Sequence, residues 1–181
     1  SDVINGKSVK GPAVTPELDS LFADGLVMIE DHWTSNGYPE LVILIYDEPT
    51  ERLLERHKDR YDLLKSVIPD TRVYGVSMNR QDWAEDIADA CDIIVSNGNL
   101  HACRGVAEDY GLDFWMYANP LHDIVLSRFT MGLRVHSVQA TAGWFWMYNY
   151  WNYAPDGCAV YPHPDDPDKL LRTVQWEAIR E

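Results

Sequence analysis

Cysteine is scarce in this chain: Cys91, Cys103 and Cys158 are the 3 among 181 residues. None of them stands in a C-x-x-C spacing, so neither a zinc cluster nor a disulfide framework is indicated. Each reads as a small buried apolar side chain. Positive charge is also in short supply. Fifteen Lys and Arg face 29 Asp and Glu, for a formal charge of -14 and a pI near 4.6. A phosphate backbone or an anionic membrane surface is then an unfavourable partner, and nucleic acid is set aside. No run is long and apolar enough for a membrane span, and Ser1 to Lys7 lack the charged start and apolar middle of a signal peptide. The phosphate loops G-x-G-x-x-G and G-x-x-x-x-G-K-[ST] do not occur, nor does the G-x-S-x-G elbow of α/β hydrolases. The six histidines have no metal-ligand spacing, and Asp165, Asp166 and Asp168 lie in a proline-rich stretch without an EF-hand pattern. No metal and no cofactor is called for.

What is present is an alternation of helical and extended segments, in a chain long enough for one core and too short for two comfortable domains. Residues 1–14, polar and containing Gly and Pro, read as a loop or tail ahead of a single α/β domain over 15–181. Thr15-Pro16-Glu17 opens a helix with a cap and a proline at its first position. Leu18, Leu21, Phe22, Leu26, Ile29 and Trp33 recur at helical spacing as its buried side until Asn36-Gly37 ends it. Strands are expected over 41–46, 72–77, 92–96, 114–118 and 140–148. Helices are expected over 51–66, 83–90, 100–110, 123–135 and 168–180; the one over 51–66 is buried through Leu53, Leu54, His57, Tyr61 and Leu64, and the one over 100–110 is stopped by Gly111. Short connections between alternating elements imply parallel pairing with right-handed crossovers, and about five βα units fit either a doubly wound sheet or part of a (β/α)8 barrel.

Residues 41–49, Leu-Val-Ile-Leu-Ile-Tyr-Asp-Glu-Pro, are an apolar run that ends in two adjacent carboxylates and a proline. The run has the character of a parallel strand buried on both faces, and active sites of α/β folds lie where such strands stop. An Asp-Glu-Pro turn that caps the next helix accounts for the same residues. The other strand ends carry Ser77-Met78-Asn79-Arg80, Ser96-Asn97-Gly98-Asn99, Tyr117-Ala118-Asn119-Pro120 and the aromatic run Trp144 to Trp151. Amides, hydroxyls and flat aromatic faces suit a neutral polyhydroxylated ligand, because sugar rings stack on Trp and Tyr while their hydroxyls bond to Asn and Asp. Core aromatics alternating along a strand would explain the last run equally well. Candidate substrate contacts are Tyr117, Asn119, Trp146 and Tyr148, followed by Asn79, Asn97 and Trp151.

The order of Tyr38-Pro39 to Pro49, the aromatic strand 144–151, Asp156-Gly157, Tyr161-Pro162 and the closing Leu171 to Glu181 resembles the C-terminal part of the catalytic domain of glycoside hydrolase family 123 and the related DUF4091 domains. The resemblance covers roughly 15–181 and is carried above all by Asp47-Glu48-Pro49 and Glu177-Ala178-Ile179-Arg180-Glu181. It implies an α/β chain that forms the C-terminal five or so strands of a (β/α)8 TIM-type barrel, with three strands and a β-sandwich ahead of it and a last helix continuing beyond Glu181. Self-association, or contact with that missing N-terminal part, would then cover an open sheet edge. The implied activity is a retaining, N-acetylgalactosaminidase-like hydrolysis of a terminal 2-acetamido-2-deoxy-hexoside, in a secreted or periplasmic setting. Glu48 would be the general acid and then the base, while Asp47 would orient the substrate's own acetamido group for attack on the anomeric carbon. Regular alternation points neighbouring side chains to opposite faces, so the strand has to twist or bulge at its end for both to serve one cleft. The competing reading is a catalytically inactive carbohydrate-binding or structural module derived from such a barrel.

Overall fold

The apolar runs between the helical stretches line up side by side. The computed structural model describes residues 2–4, 7–9, 15–49, 51–77, 79–118, 124–145, 160–163 and 166–172. Among them β3 (Val42–Leu44), β4 (Arg72–Val76), β5 (Ile93–Ser96), β6 (Asp113–Ala118) and β7 (Ala142–Phe145) form one sheet in that order, every pair parallel. The sheet curls as a half-barrel. The strands are linked by helices α2 (Glu51–Val67), α3 (Gln81–Ile87), α4 (Leu100–Tyr110) and α5 (Ile124–Arg128), with α1 (Pro16–Ser35) ahead of β3. Consecutive helices α1 to α4 pack on one another. Strands that neighbour in sequence order, joined by right-handed crossovers, put every connection on the same face of the sheet. A doubly wound sheet would need a reversal of strand order, which these five strands do not have.

Period-two alternation then divides the side chains. Ile43, Val73, Ile94, Phe114 and Met116 point into the helix layer, against Leu26, Leu64, Ile68, Ile87, Leu100 and Val106. Val42, Leu44, Tyr74, Val76, Ile93, Val95, Trp115 and Tyr117 share the other, concave face. Ile93, Ile94 and Val95 are wholly buried, so the middle strand is covered on both faces, and each such side chain contributes about 1.5–3 kcal/mol. Gly75 brings α3 close to the sheet, since a Cβ there would lie 2.8 Å from Ile87 Cδ1.

Charge collects at the N-terminal ends of the strands. Asp92 accepts from Val73 N and from Lys65 Nζ, each at 2.8 Å, and from Tyr61 OH at 3.3 Å. Arg72 joins Glu40, at 2.6 Å from Nε, to Asp113 across the starts of β4 and β6. In barrel-like sheets this end serves stability and the opposite end serves chemistry.

Several elements depart from the sequence reading. The first strand is shorter than 41–46 and half-buried, because β3 has one partner strand among the described residues and bends from Ile45 onward. Thr15 caps α1 by accepting from Leu18 N at 3.3 Å, as its position predicts, but only Leu26 of the expected stripe is buried. Leu21 remains 68% and Ile29 49% exposed, since α1 meets the rest of the fold mainly through α2. The helix expected over 123–135 divides into α5, a wider π-helical stretch Phe129–Arg134 and the short α6 (Val135–Ser137). Met131 of that stretch and Val135 of α6 are seated on Gly143, where a Cβ would meet Val135 Cγ2 at 3.0 Å. Residues 168–172, expected to open the last helix, belong to a strand, β9 (Asp166–Arg172), and the rest of that helix, 173–180, lies outside the described residues. The strand pairs antiparallel with β8 (Val160–His163), whose β-branched and aromatic start favours extended backbone, and the ladder overrides the helical propensity of Leu170 to Arg172. In the stretch read as loop or tail, β1 (Asp2–Ile4) and β2 (Lys7–Val9) pair as a hairpin.

Candidate functional site

Four strands deliver polar groups to the C-terminal edge of the sheet. After β3 the chain bends through Ile45–Glu48, and Glu48 takes a left-handed backbone with φ 46°. A residue with a Cβ loses roughly 1–2 kcal/mol in that conformation, and such outliers gather at functional sites. Here the bend is what lets adjacent carboxylates serve one edge. Asp47 is exposed, Glu48 is half-buried, and Pro49 is buried behind them as α2 begins.

Tyr117 closes the other side. It is two residues on from Trp115 along β6 and so lies on the concave face, 9% exposed. Its hydroxyl donates to Glu48 Oε1 at 3.3 Å, a long contact, and accepts from Asn97 Nδ2 at 2.7 Å. Burial, with the nearby charges of Glu48 and Asp47, pushes the Tyr117 phenol up to about 12, so it remains a proton donor through the neutral range. Tyr74, on the same face, is likewise raised by burial and by the charge of Asp47. Both carboxylates therefore act on the aromatic floor of one edge.

The loops after β4 and β5 are fastened together beneath these groups. Ser77 N donates to Val95 O at 2.9 Å, and the Ser77 hydroxyl reaches the same oxygen at 3.3 Å. Ser96 Oγ donates to Gly98 O at 2.7 Å and tightens the Ser96–Asn99 turn. A Cβ on Gly98 would stand 2.6 Å from Asn79 Cβ, so the absence of a side chain lets the Asn79 loop rest on the Asn97 loop. Cys103, fully buried at the start of α4, places its sulfur 3.7 Å from Arg80 O and 3.9 Å from Gly98 O. It behaves as the packed side chain the sequence suggests, with weak contacts to both loops. Cys91 is inert as a nucleophile, because burial pushes its thiol up to about 12.

Of the residues singled out from sequence, Asp47, Glu48, Asn79, Asn97 and Tyr117 lie at this edge. Glu48, Tyr117 and Asn97 are joined by hydrogen bonds, Asp47 acts through its charge, and Asn79 abuts Gly98. Asn119, Trp146, Tyr148 and Trp151 lie outside the described residues. Tyr74 was not among the candidates, although its place two residues before Val76 puts it on the concave face. Among the described residues, no group of three or more His, Cys, Asp or Glu side chains is placed to hold a metal. A groove of about 390 Å³ between α3 and α4, lined by Gln81, Glu85, Asp109 and Tyr110, belongs to the outer helical layer and shares no residue with the strand-end cluster.

A half-buried carboxylate held by a phenol, beside an exposed carboxylate, is equipped for proton transfer and for stabilising positive charge. The fold and site thus define an α/β chain with a five-stranded parallel sheet and an acidic, aromatic strand-end edge. Compared with protein-family models and with curated proteins, the chain matches none.

Proposed function

We propose that this chain is part of a (β/α)8 barrel and acts as a retaining glycoside hydrolase on a terminal 2-acetamido-2-deoxy-hexoside, of the N-acetylgalactosaminidase-like type resembled by its sequence. The observation that carries the reading is Glu48: a left-handed residue at the end of β3, turned so that its carboxylate meets Tyr117 while Asp47 stands exposed beside it. In this role Glu48 protonates the leaving glycosidic oxygen and then takes a proton from the attacking water. Asp47 orients the acetamido group, whose carbonyl oxygen attacks the anomeric carbon, and balances the charge of the cyclic intermediate. Asn79 and the aromatic positions Tyr117, Trp146, Tyr148 and Trp151, with Asn119, supply hydroxyl and ring-face contacts. The half-barrel curl and the helices on one face support the barrel assignment. Carbohydrate is the substrate partner, and the sheet edges that have one partner strand among the described residues are covered by self-association or by an N-terminal part of the same barrel.

The test is the leaving-group dependence of Glu48→Gln. Turnover of a natural or poorly activated 2-acetamido glycoside should fall by roughly two to four orders of magnitude, as for the loss of a general acid. An aryl glycoside with a very good leaving group needs little protonation and should lose far less. Equal losses on both would remove Glu48 from the role of acid.

A further inference from the structure

We infer that Asn97 is a positioning residue for Glu48, acting through Tyr117: its side-chain N–H occupies the phenol oxygen and thereby aims the Tyr117 hydroxyl at the Glu48 carboxylate. The inference rests on the reading of Glu48 as the acid and base, and it assigns Asn97 a different task from the substrate contact its loop position suggests. The geometry is that of a chain of three groups from three strand ends. Asn97 Nδ2 lies 2.7 Å from the Tyr117 oxygen, and that oxygen lies 3.3 Å from Glu48 Oε1. A phenol can donate one proton and accept at its oxygen. With an amide N–H directed at that oxygen, the arrangement that satisfies both neighbours has Tyr117 donating to Glu48.

Local structure explains why Asn97 can serve as an anchor. It continues the concave-face register of Ile93 and Val95, which directs its side chain toward Tyr117 across the β5–β6 pair. Its turn is braced by the Ser96–Gly98 hydrogen bond and by the close approach of Asn79 to Gly98. The amide is exposed and the phenol is buried, so the bond links a solvent-facing loop to the floor of the site. The raised phenol, near 12, keeps the middle member protonated at working pH. A carboxylate that must both release and accept a proton in one position gains from a donor that cannot rotate away, and misplacement by about 1 Å can cost 10²-fold.

Asn97→Asp tests the inference, because it keeps the shape and replaces the donor by an acceptor that competes with Glu48 for the phenol proton. The position is exposed, so the core is left untouched. In the hydrolysis assay kcat should fall by about ten- to a hundredfold with KM little changed. Added to Tyr117→Phe, the neutral Asn97→Leu, which removes the donor without adding a charge, should cost almost nothing more. A rise in KM at constant kcat would make Asn97 a substrate contact, and additive losses would place it outside the chain of three; either overturns the proposal. A readout independent of turnover is the side-chain amide signal of Asn97 in 1H–15N spectra, assigned by its loss in Asn97→Asp. Tyr117→Phe should move it upfield, and an unmoved signal overturns the proposal. If the wild-type protein cleaves no 2-acetamido glycoside, the hydrolase reading fails while the amide signal still decides whether Asn97 holds Tyr117.

Discussion

Glu48, Asn97 and Tyr117 show how far alternation along a strand carries a reading of single positions. Asn97 follows Val95 and Tyr117 follows Trp115 at a spacing of two, so period two sends these two polar groups to the concave face, whereas Glu48 lies beyond the end of β3, where alternation no longer applies. The pairing of Asn97 with Tyr117 was legible in that sense. The left-handed turn at Glu48 was not, because no local signal calls for φ 46° at a glutamate before proline. It occurs beside the buried Pro49 and the contact with Tyr117. His57 illustrates the opposite case, a position placed correctly in the buried side of α2 whose chemistry only the fold reveals. It is wholly buried, its Nε2 lies 2.9 Å from Ala90 O, and its Nδ1 has no hydrogen-bond partner. A carbonyl partner requires Nε2 to carry the proton, so Nδ1 is bare and a second proton would be buried without compensation. Burial accordingly holds the His57 pKa below its ordinary 6.5. The unfolded chain binds a proton at and below that value while the folded one resists it, so the full contribution is present above 6.5 and is lost as pH falls. His57→Gln, which retains a donor toward Ala90, should flatten the dependence of unfolding free energy on pH between neutral and mildly acidic buffers. An unchanged slope in denaturant titrations would show that His57 is not a source of acid sensitivity.

The elements followed the sequence where a local rule and the tertiary fold agreed. Thr15 and Pro16 start α1, Gly111 ends α4 in a left-handed cap with φ 70°, and α2 keeps the expected face inward. They departed where neighbours decide. A strand at the edge of the described sheet needs only three paired residues, so β3 stops at Leu44 and leaves four bent residues to aim the carboxylates. The apolar stripe on α1 could not reveal how much of it would meet α2, and the residues at 166–172 follow their antiparallel partner. The loop after β5 is the element whose shape matters most for the site, and Gly98 is its hinge on Asn79. Gly98→Ala should destabilise the protein by about 1–3 kcal/mol, as overpacking does, and should displace Asn79. Its effect on KM should exceed that of the same change at Gly105, where an added Cβ meets nothing within 4 Å. Equal behaviour of the two variants in thermal unfolding and in substrate binding would mean that the two loops are not locked.

The five strands together form a sheet with the candidate site at one end and paired charges at the other, and this polarity was foreseeable from the alternation of elements once their order was known. The curl and the single helix-bearing face were not, since about five βα units permit two architectures and only the sequential strand order separates them. Among the described residues β3 and β7 each have one partner strand, and exposed parallel edges invite pairing. Val125, Phe129 and Leu133, before β7, and Leu21 and Met28, before β3, add exposed apolar surface beside both edges. In light scattering at increasing concentration, residues 1–181 prepared alone should self-associate; a monodisperse monomer would show that the edges are covered within the chain. The central claim, that Asp47 and Glu48 cooperate with a group on the substrate, is tested most directly by the rates of hydrolysis of two aryl glycosides that differ only at C2. The account predicts cleavage of the 2-acetamido compound and none measurable of its 2-hydroxyl counterpart. Comparable cleavage of both, or a covalent ester trapped on Asp47 or Glu48 by a 2-fluoro sugar, would contradict it, because an enzyme carboxylate would then be doing what is assigned here to the acetamido oxygen.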